Sequence, residues 1–374
     1  MFSRRNSIPI LLIVLILQVL ACGKRAGGEK PAVAEVIQQE AKPYQRVKLI
    51  DAHTHLSPYM IPLIKKVMEE NGIEYMINFS GGNMYEGMGL NVKMAKIMEG
   101  KILNMFNPDW TAIDEPDFAL IEALRLEDAV KRHGYAGMKI SKALGLYVRD
   151  KMGVLVEVDD PALDPLWEKA GELNVPVTIH TADPKAFFLP ADEKNERYKE
   201  LSIHPHWSFA DRKKFPTFEH LLDALERVID GHPLTTFVAV HFGNDAEDPD
   251  YVARMLDRYP NLYIDTAARV PEFGRHDPEK IREFFLKYQD RILFGTDLGL
   301  SPYGIMLGSS GAEDPDISDI KPFYDAHFIF FETSDKSIAH PTPIQGDWKV
   351  NAINLPPDVL EKLYRKNAEK LFFR

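Results

Sequence analysis

The chain is expected to fold as a (β/α)8 TIM barrel, and three observations lead there. From Val47 onward, short apolar runs alternate with amphipathic stretches, the pattern of a parallel sheet covered by helices. Eight such units follow one another, and a barrel of eight needs about 250 residues, which a chain of 374 residues supplies with a surplus for loops. The apolar runs that open the first, fifth, sixth and eighth units end in His or Asp, so ligand-type residues recur at strand ends, where a site at one mouth of a parallel barrel would lie.

The elements follow in order. Val47 to Ile50 is the first strand and runs into Asp51-Ala52-His53-Thr54-His55. Two histidines one residue apart on a strand share a face, so His53 and His55 can reach one ion. Ile61 to Asn71 reads as a helix stopped by Gly72. Ile73 to Phe79 is the second strand, Leu90 to Glu99 a helix closed by Gly100, and Ile102 to Phe106 the third strand. Asp117 to His133 is helical, and Ala136 to Ile140, carrying Lys139, is the fourth strand. A helix over Asp164 to Leu173 leads into the strand ending at His180, and one over Thr217 to Asp230 leads into the strand ending at His241. Asp250 to Tyr259 is helical, Leu262 to Asp265 the seventh strand, Pro278 to Tyr288 helical, and Ile292 to Thr296 the eighth strand, followed by Asp297. The surplus sits in loops after strands four, five and eight: residues 141–163, 181–216 and 298–355. Loops after strands build pockets in barrels. The last loop holds a strand-like run, Ala326 to Glu332, and Pro356 to Phe372 is expected to supply the eighth outer helix.

Ahead of the barrel, residues 1–22 read as a targeting segment. Arg4 and Arg5 form a positive region, and Ile8 to Leu20 is apolar but short for a bilayer span, which needs about 20 apolar residues. Val19-Leu20-Ala21-Cys22 resembles a bacterial lipobox, so Cys22 is the expected lipidation site. Residues 23–46 read as a flexible tether, and 47–374 as the barrel. This places the protein outside the cytoplasm, lipid-anchored to a bacterial membrane. Cys22 is the single cysteine, so any metal must rest on His, Asp, Glu or a modified Lys. A net charge of −11 without a basic stripe argues against nucleic acid as a partner. The expected partner is a small-molecule substrate, and a homodimer is left open.

On the motifs Asp51-Ala52-His53-Thr54-His55, His180, His241-Phe242-Gly243, Gly295-Thr296-Asp297 and Tyr364 to Phe372, residues 47–372 resemble the metal-dependent amidohydrolase superfamily. The branch they resemble includes aminocarboxymuconate semialdehyde decarboxylase. The resemblance implies that His53, His55, His180 and Asp297 bind one divalent transition metal, expected to be zinc, and that Asp297 also accepts a proton. Imidazole and carboxylate suit zinc and leave room for water. His241 is expected to polarise a carbonyl or stabilise an oxyanion. Lys139 is either a substrate contact or, in a binuclear reading, a carboxylated lysine bridging two metals, with His180 and His241 on the second. Arg269 suits a substrate carboxylate. His206, in the loop after strand five, is a weaker substrate contact, and Asp183 reads as a turn former.

The function expected is hydrolysis of a lactone, ester or amide in a small carboxylated substrate by a metal-activated water. The alternatives are a non-oxidative metal-dependent decarboxylase, which would use the same ligands, and a catalytically silent binding lipoprotein.

Overall fold

The structure, a computed structural model, describes residues 44–309, 311, 313–344 and 346–373. Cys22, the targeting segment and residues 23–43 of the tether lie outside the described residues. Among the described residues no helix is long and apolar enough to cross a membrane.

Eight parallel strands follow one another in order: β1 (Leu49–Leu56), β2 (Ile73–Asn78), β3 (Ile102–Phe106), β4 (Gly137–Ile140), β5 (Val177–Ile179), β6 (Phe237–Ala239), β7 (Leu262–Asp265) and β8 (Ile292–Leu293). The sheet closes on itself through the residues after β8. Ala52 N–H donates to the Phe294 carbonyl at 2.9 Å, and Asp297 N–H to the His53 carbonyl at 2.9 Å. The next strand, β9 (Leu298–Ser301), then runs parallel to the end of β1, and β10 (Gly304–Leu307) folds back on β9 as a hairpin. Closure needs Gly295: a Cβ there would lie 2.8 Å from the His53 Cβ, so this position tolerates no side chain.

The helices follow the apolar periodicity of the sequence. Helix α1 spans Ile61–Asn71 and ends on Gly72 in the left-handed region, as the sequence predicts. Helix α2 (Phe218–Gly231) is capped by the Thr217 hydroxyl and buries Leu221, Leu222, Leu225, Val228 and Ile229 along one stripe. The strand-like run at 326–332 is not a strand. It is the end of helix α3 (Ile320–Glu332), whose buried residues Phe323, Tyr324, His327, Phe328, Phe330 and Phe331 follow helical spacing. Phe328 and Phe331 pack on Phe294 just past β8, and α3 touches α1. The final helix begins at Pro357 and is broken by a π turn at Lys362–Lys366, where the Leu363 carbonyl takes the Phe294 N–H at 3.0 Å.

The barrel body reaches back to Tyr44, three residues before the boundary the apolar pattern sets at Val47. Arg46 pairs with Glu332 at 2.6 Å and lies 3.6 Å over the Phe328 ring. Inside, Ile50, Ala52, Ile77, Met105, Val238, Val240 and Leu293 form one buried cluster, while a larger one joins the strands to the helices.

Candidate metal centre

β1 delivers His53 and His55 to the mouth. His53 is fully buried, and its Nδ1 lies 2.8 Å from Asp265 Oδ2 at the end of β7. An ionised carboxylate only accepts, so Nδ1 carries the proton and Nε2 is left bare. Nε2 has no hydrogen-bond partner among the described residues and faces Asp297 Oδ1 at 3.3 Å. His55 is placed alike, though its outer partner is a hydroxyl, which can donate as well as accept. Its Nδ1 lies 2.8 Å from Ser80 Oγ, and its Nε2 is 3.4 Å from the same Asp297 oxygen. The ligand atoms of His53, His55 and Asp297 lie within 4.8 Å of one another. Asp51, two residues before His53, does not join them. The pairing of β1 with β2 shifts register between Asp51 and Thr54, and Asp51 turns to Thr296 Oγ1 at 2.6 Å and the Tyr324 hydroxyl at 2.7 Å.

His180 and His241 face each other one step further along the mouth. His241 donates Nδ1–H to the Ala267 carbonyl at 2.9 Å, which leaves Nε2 bare. His180 Nε2 lies 3.2 Å from Asp183 Oδ1, so its proton sits there and its Nδ1 is bare. The two bare nitrogens are 3.3 Å apart. Three of the four expected ligands, His53, His55 and Asp297, thus lie together, and the fourth, His180, meets His241, whose ring centroid is 4.9 Å from that of His53. His241 also takes a different part from the expected one: a bare Nε2 offers no proton to an oxyanion and can only accept.

Electrostatics follow from this packing. Burial lowers the His55 pKa to about 4 and that of His180 to about 3, the latter against Asp183. Burial, with His180 and Arg269 adding to it, drives His241 well below the usual imidazole range. Burial pulls His53 down too, but Asp265 and Asp297 outweigh it and hold its pKa above the usual value. Asp297 is pushed up by burial and, more strongly, down to about 2 by His53, His55 and His180. A positive charge is thus favoured between His53 Nε2 and Asp297, whether proton or metal ion. These residues fit a divalent transition ion: two imidazole Nε2 atoms turned inward, one carboxylate, and an outer partner on the Nδ1 of each ring.

Backbone strain marks the same spot. His241 and Phe242 (φ 56°), Ala268 (φ 58°) and Asp297 (φ 63°) all stand in the left-handed region at the ends of β6, β7 and β8. Such conformations cost about 1–3 kcal/mol each and cluster at functional sites.

The other expected residues divide. The Lys139 Nζ is buried without a partner, 4.6 Å over the Phe79 ring, and burial lowers its pKa to about 8 against Asp265 and Asp297. Arg269 is buried, donates to the Ala268 carbonyl at 3.1 Å and lies 3.7 Å from Asp183. It lines a cavity of about 280 Å³ together with His180, His241, Asp297, Lys142 and Trp207. His206 is exposed and not among the residues lining that cavity; its neighbour Trp207 takes the place expected of it.

Sequence reasoning missed Asp265, Ser80, Asp183 and Lys142. Asp265 and Ser80 also stand at strand ends, the signal that exposed the histidines. Asp183 is no mere turn former. It is buried, and burial raises its carboxyl less than Lys142, His180 and Arg269 lower it, leaving it far below the usual range. The roof of the cavity holds a second polar group. Arg197, 1% exposed, donates to Glu200 and Glu272, each at 2.6 Å, and Glu200 accepts from Ser309 at 2.9 Å.

Solved structures share this fold. A putative amidohydrolase from Staphylococcus aureus is 15% identical, covering 87% of this chain and 99% of its own, with a TM-score of 0.51. An uncharacterized TIM-barrel protein from Bordetella bronchiseptica is 15% identical over 87% and 98%, with a TM-score of 0.50. 2,6-Dihydroxybenzoate decarboxylase, complexed with 2,6-dihydroxybenzoate, is 19% identical over 87% and 99%, with a TM-score of 0.49. No curated protein matches the sequence. The family model described as amidohydrolase matches residues 104–374, which takes in Lys139, His180, His241 and Asp297 but begins after His53 and His55. Since that match runs through most of the barrel, the chain belongs to the amidohydrolase family.

Proposed function

We propose that the protein is a metal-dependent hydrolase that cleaves a carbonyl C–O or C–N bond in a small carboxylated substrate. One observation carries the reading: the outer nitrogens of His53 and His55 meet Asp265 and Ser80, and their Nε2 atoms converge on one Asp297 oxygen at 3.3 and 3.4 Å, with the facing pair His180 and His241 beside them. A zinc ion held by His53, His55 and Asp297 would supply Lewis acidity, enough to bring the pKa of water from 15.7 to about 7. Asp297, held ionised by its imidazole neighbours, accepts the proton as water adds to the acyl carbon. The bare His241 Nε2 accepts a hydrogen bond and orients that water. The proton then passes to the departing oxygen or nitrogen, and the C–O or C–N bond breaks. Lys142 and Arg269 share the carboxylate of Asp183, so with Asp297 taken up by the metal the small cavity keeps one surplus positive charge for a substrate carboxylate.

A second reading, two ions bridged by a carboxylated Lys139, is favoured by the facing bare nitrogens of His180 and His241 and by the unpartnered Lys139 Nζ. Elemental analysis after metal-buffered dialysis separates the two. One ion per chain, retained by His241→Ala, supports the first. Two per chain, one lost in His241→Ala, supports the second, and none sinks both. In either reading the chain acts outside the cytoplasm, anchored through lipid on Cys22. Cys22→Ser should leave the membrane fraction, and a wild-type chain without lipid by mass spectrometry would refute the anchor.

A further inference from the structure

Two cavities open at the mouth and share His55. We infer that the substrate is an open ester or amide lying across both, with an anionic acyl group in one arm and a ring-bearing, uncharged or cationic leaving group in the other. This rests on the hydrolase reading above.

The arms differ in charge and size. The narrow arm, about 280 Å³, holds His180, His241 and Asp297, with Lys142 and Arg269 around Asp183. Its third cation, Arg197, is already matched by Glu200 and Glu272, and Asp183 offsets one charge of the Lys142 and Arg269 pair, so one positive charge stays uncompensated when Asp297 is taken up by the metal. The wide arm, about 540 Å³, is lined by the rings of Phe79 and Trp110, the hydroxyls of Ser80 and Ser141, and the carboxylates of Glu86 and Asp109. Lys139 is the one cation among its described lining residues, and its Nζ is buried.

The reacting carbonyl must sit beside Asp297 and His241 in the narrow arm, so the fragment beyond the broken bond extends past His55 into the wide arm. A volume of about 540 Å³ is in the range of whole small-molecule sites, roughly 300–1,000 Å³. It far exceeds the ~30 Å³ that a water occupies in the liquid. A lactone keeps both fragments in one ring and would leave an arm unused. Aromatic walls with carboxylates at the rim suit a ring that is neutral or positively charged. The balance is simple: water adds to the acyl carbon, the C–O or C–N bond breaks, and the leaving group departs with one proton, giving a carboxylic acid and an alcohol or amine.

The test uses the full-length, metal-loaded chain with mono-methyl succinate, mono-benzyl succinate and benzyl acetate. Burying the benzyl ring should raise kcat/KM about tenfold or more over the methyl ester. Removing the carboxylate, as in benzyl acetate, should lower it by a similar factor. Ser141→Trp, or Thr111→Trp if the first does not fold, narrows the wide arm and should bring the benzyl-to-methyl ratio toward one. A second readout needs no turnover: tyramine should bind the metal-free wild type in saturation-transfer NMR and lose that signal in the narrowed variant. Methyl and benzyl esters cleaved alike, with no tyramine binding, would overturn the two-arm inference and leave the hydrolase reading standing. So would a carboxylated five-membered lactone cleaved faster than either ester. Hydrolysis of no ester and no lactone would remove both.

Discussion

At the metal centre the His53 and His55 Nε2 atoms face one Asp297 oxygen, and His53 Nε2 has no hydrogen-bond partner among the described residues. Across the same mouth Arg197 is as deeply buried, yet it meets two carboxylates at 2.6 Å, and one of those also takes a serine hydroxyl. Both groups lie in surroundings where an unmatched polar atom is costly. The fold can pair buried charge here, because it pairs Arg197 with Glu200 and Glu272 and leaves, among the described residues of that group, only Glu272 Oε2 without a hydrogen bond. Its failure to do so around His53 and Asp297 therefore points to a ligand, whereas the Arg197 group ties together the loops after β5, β7 and β8. Matched polarity holds the roof in place, and unmatched polarity leaves a site open beneath it.

That contrast can be broken at either end. The largest effect is expected from Asp297→Asn, which removes the proton acceptor and a charged ligand together. Its kcat should fall by about 10²–10⁴, with metal content dropping in parallel while the melting temperature of the metal-free protein holds. A variant with full turnover would show that the carboxylate is not the acceptor. At the roof, Arg197→Met leaves two buried carboxylates without their cation and should cost about 3–5 kcal/mol of stability, read by denaturant unfolding. Metal affinity should change little. If it fell with stability, the two centres would be one unit and the comparison would fail.

Asp265→Asn tests the outer partners. Asp265 fixes the His53 tautomer and also accepts the His241 and Ala267 backbone N–H groups. Metal affinity should weaken about 10–100-fold, measured by competition with a chromophoric chelator; unchanged affinity would mean that the tautomer needs no carboxylate.

The smallest effect concerns Asp245, a buried carboxyl in the loop after β6 with one oxygen unpartnered among the described residues. Burial, then Glu247 and Asp248, raises its pKa to about 7. A carboxyl with a folded pKa above its unfolded value costs stability as pH rises from the unfolded value through about 7. Asp245→Asn should therefore raise the melting temperature at pH 8 by about 2–4 °C and gain least at pH 4. An equal gain at both pH values would exclude titration as the cause.

Much of the frame was legible because local chemistry writes it. Helix α1 matches its predicted span, since an apolar stripe and a terminal glycine are both local signals. The run at 326–332 misled because Phe328-Ile329-Phe330-Phe331 is apolar at every position, which hides the helical period once Phe323 and Tyr324 are left out of the window. The histidines could be found because each closes an apolar run. Their partners were harder: Asp265 stands 212 positions from His53, and no spacing rule links them.

The sequence alone determined the barrel, the order of its elements, and which residue types stand at its mouth, because periodicity and strand-end position are properties of neighbouring residues. Only the tertiary structure decided which nitrogen of each histidine faces inward. That choice depends on partners brought in from distant segments, Asp265, Ser80 and Ala267, and for His180 on Asp183 three residues along the same loop. It left His241 Nε2 as an acceptor, set His180 Nδ1 beside it, and put Trp207 rather than His206 in the cavity wall. A proton's place on an imidazole is set by the acceptor it meets, and acceptors from distant segments meet only when the chain has folded.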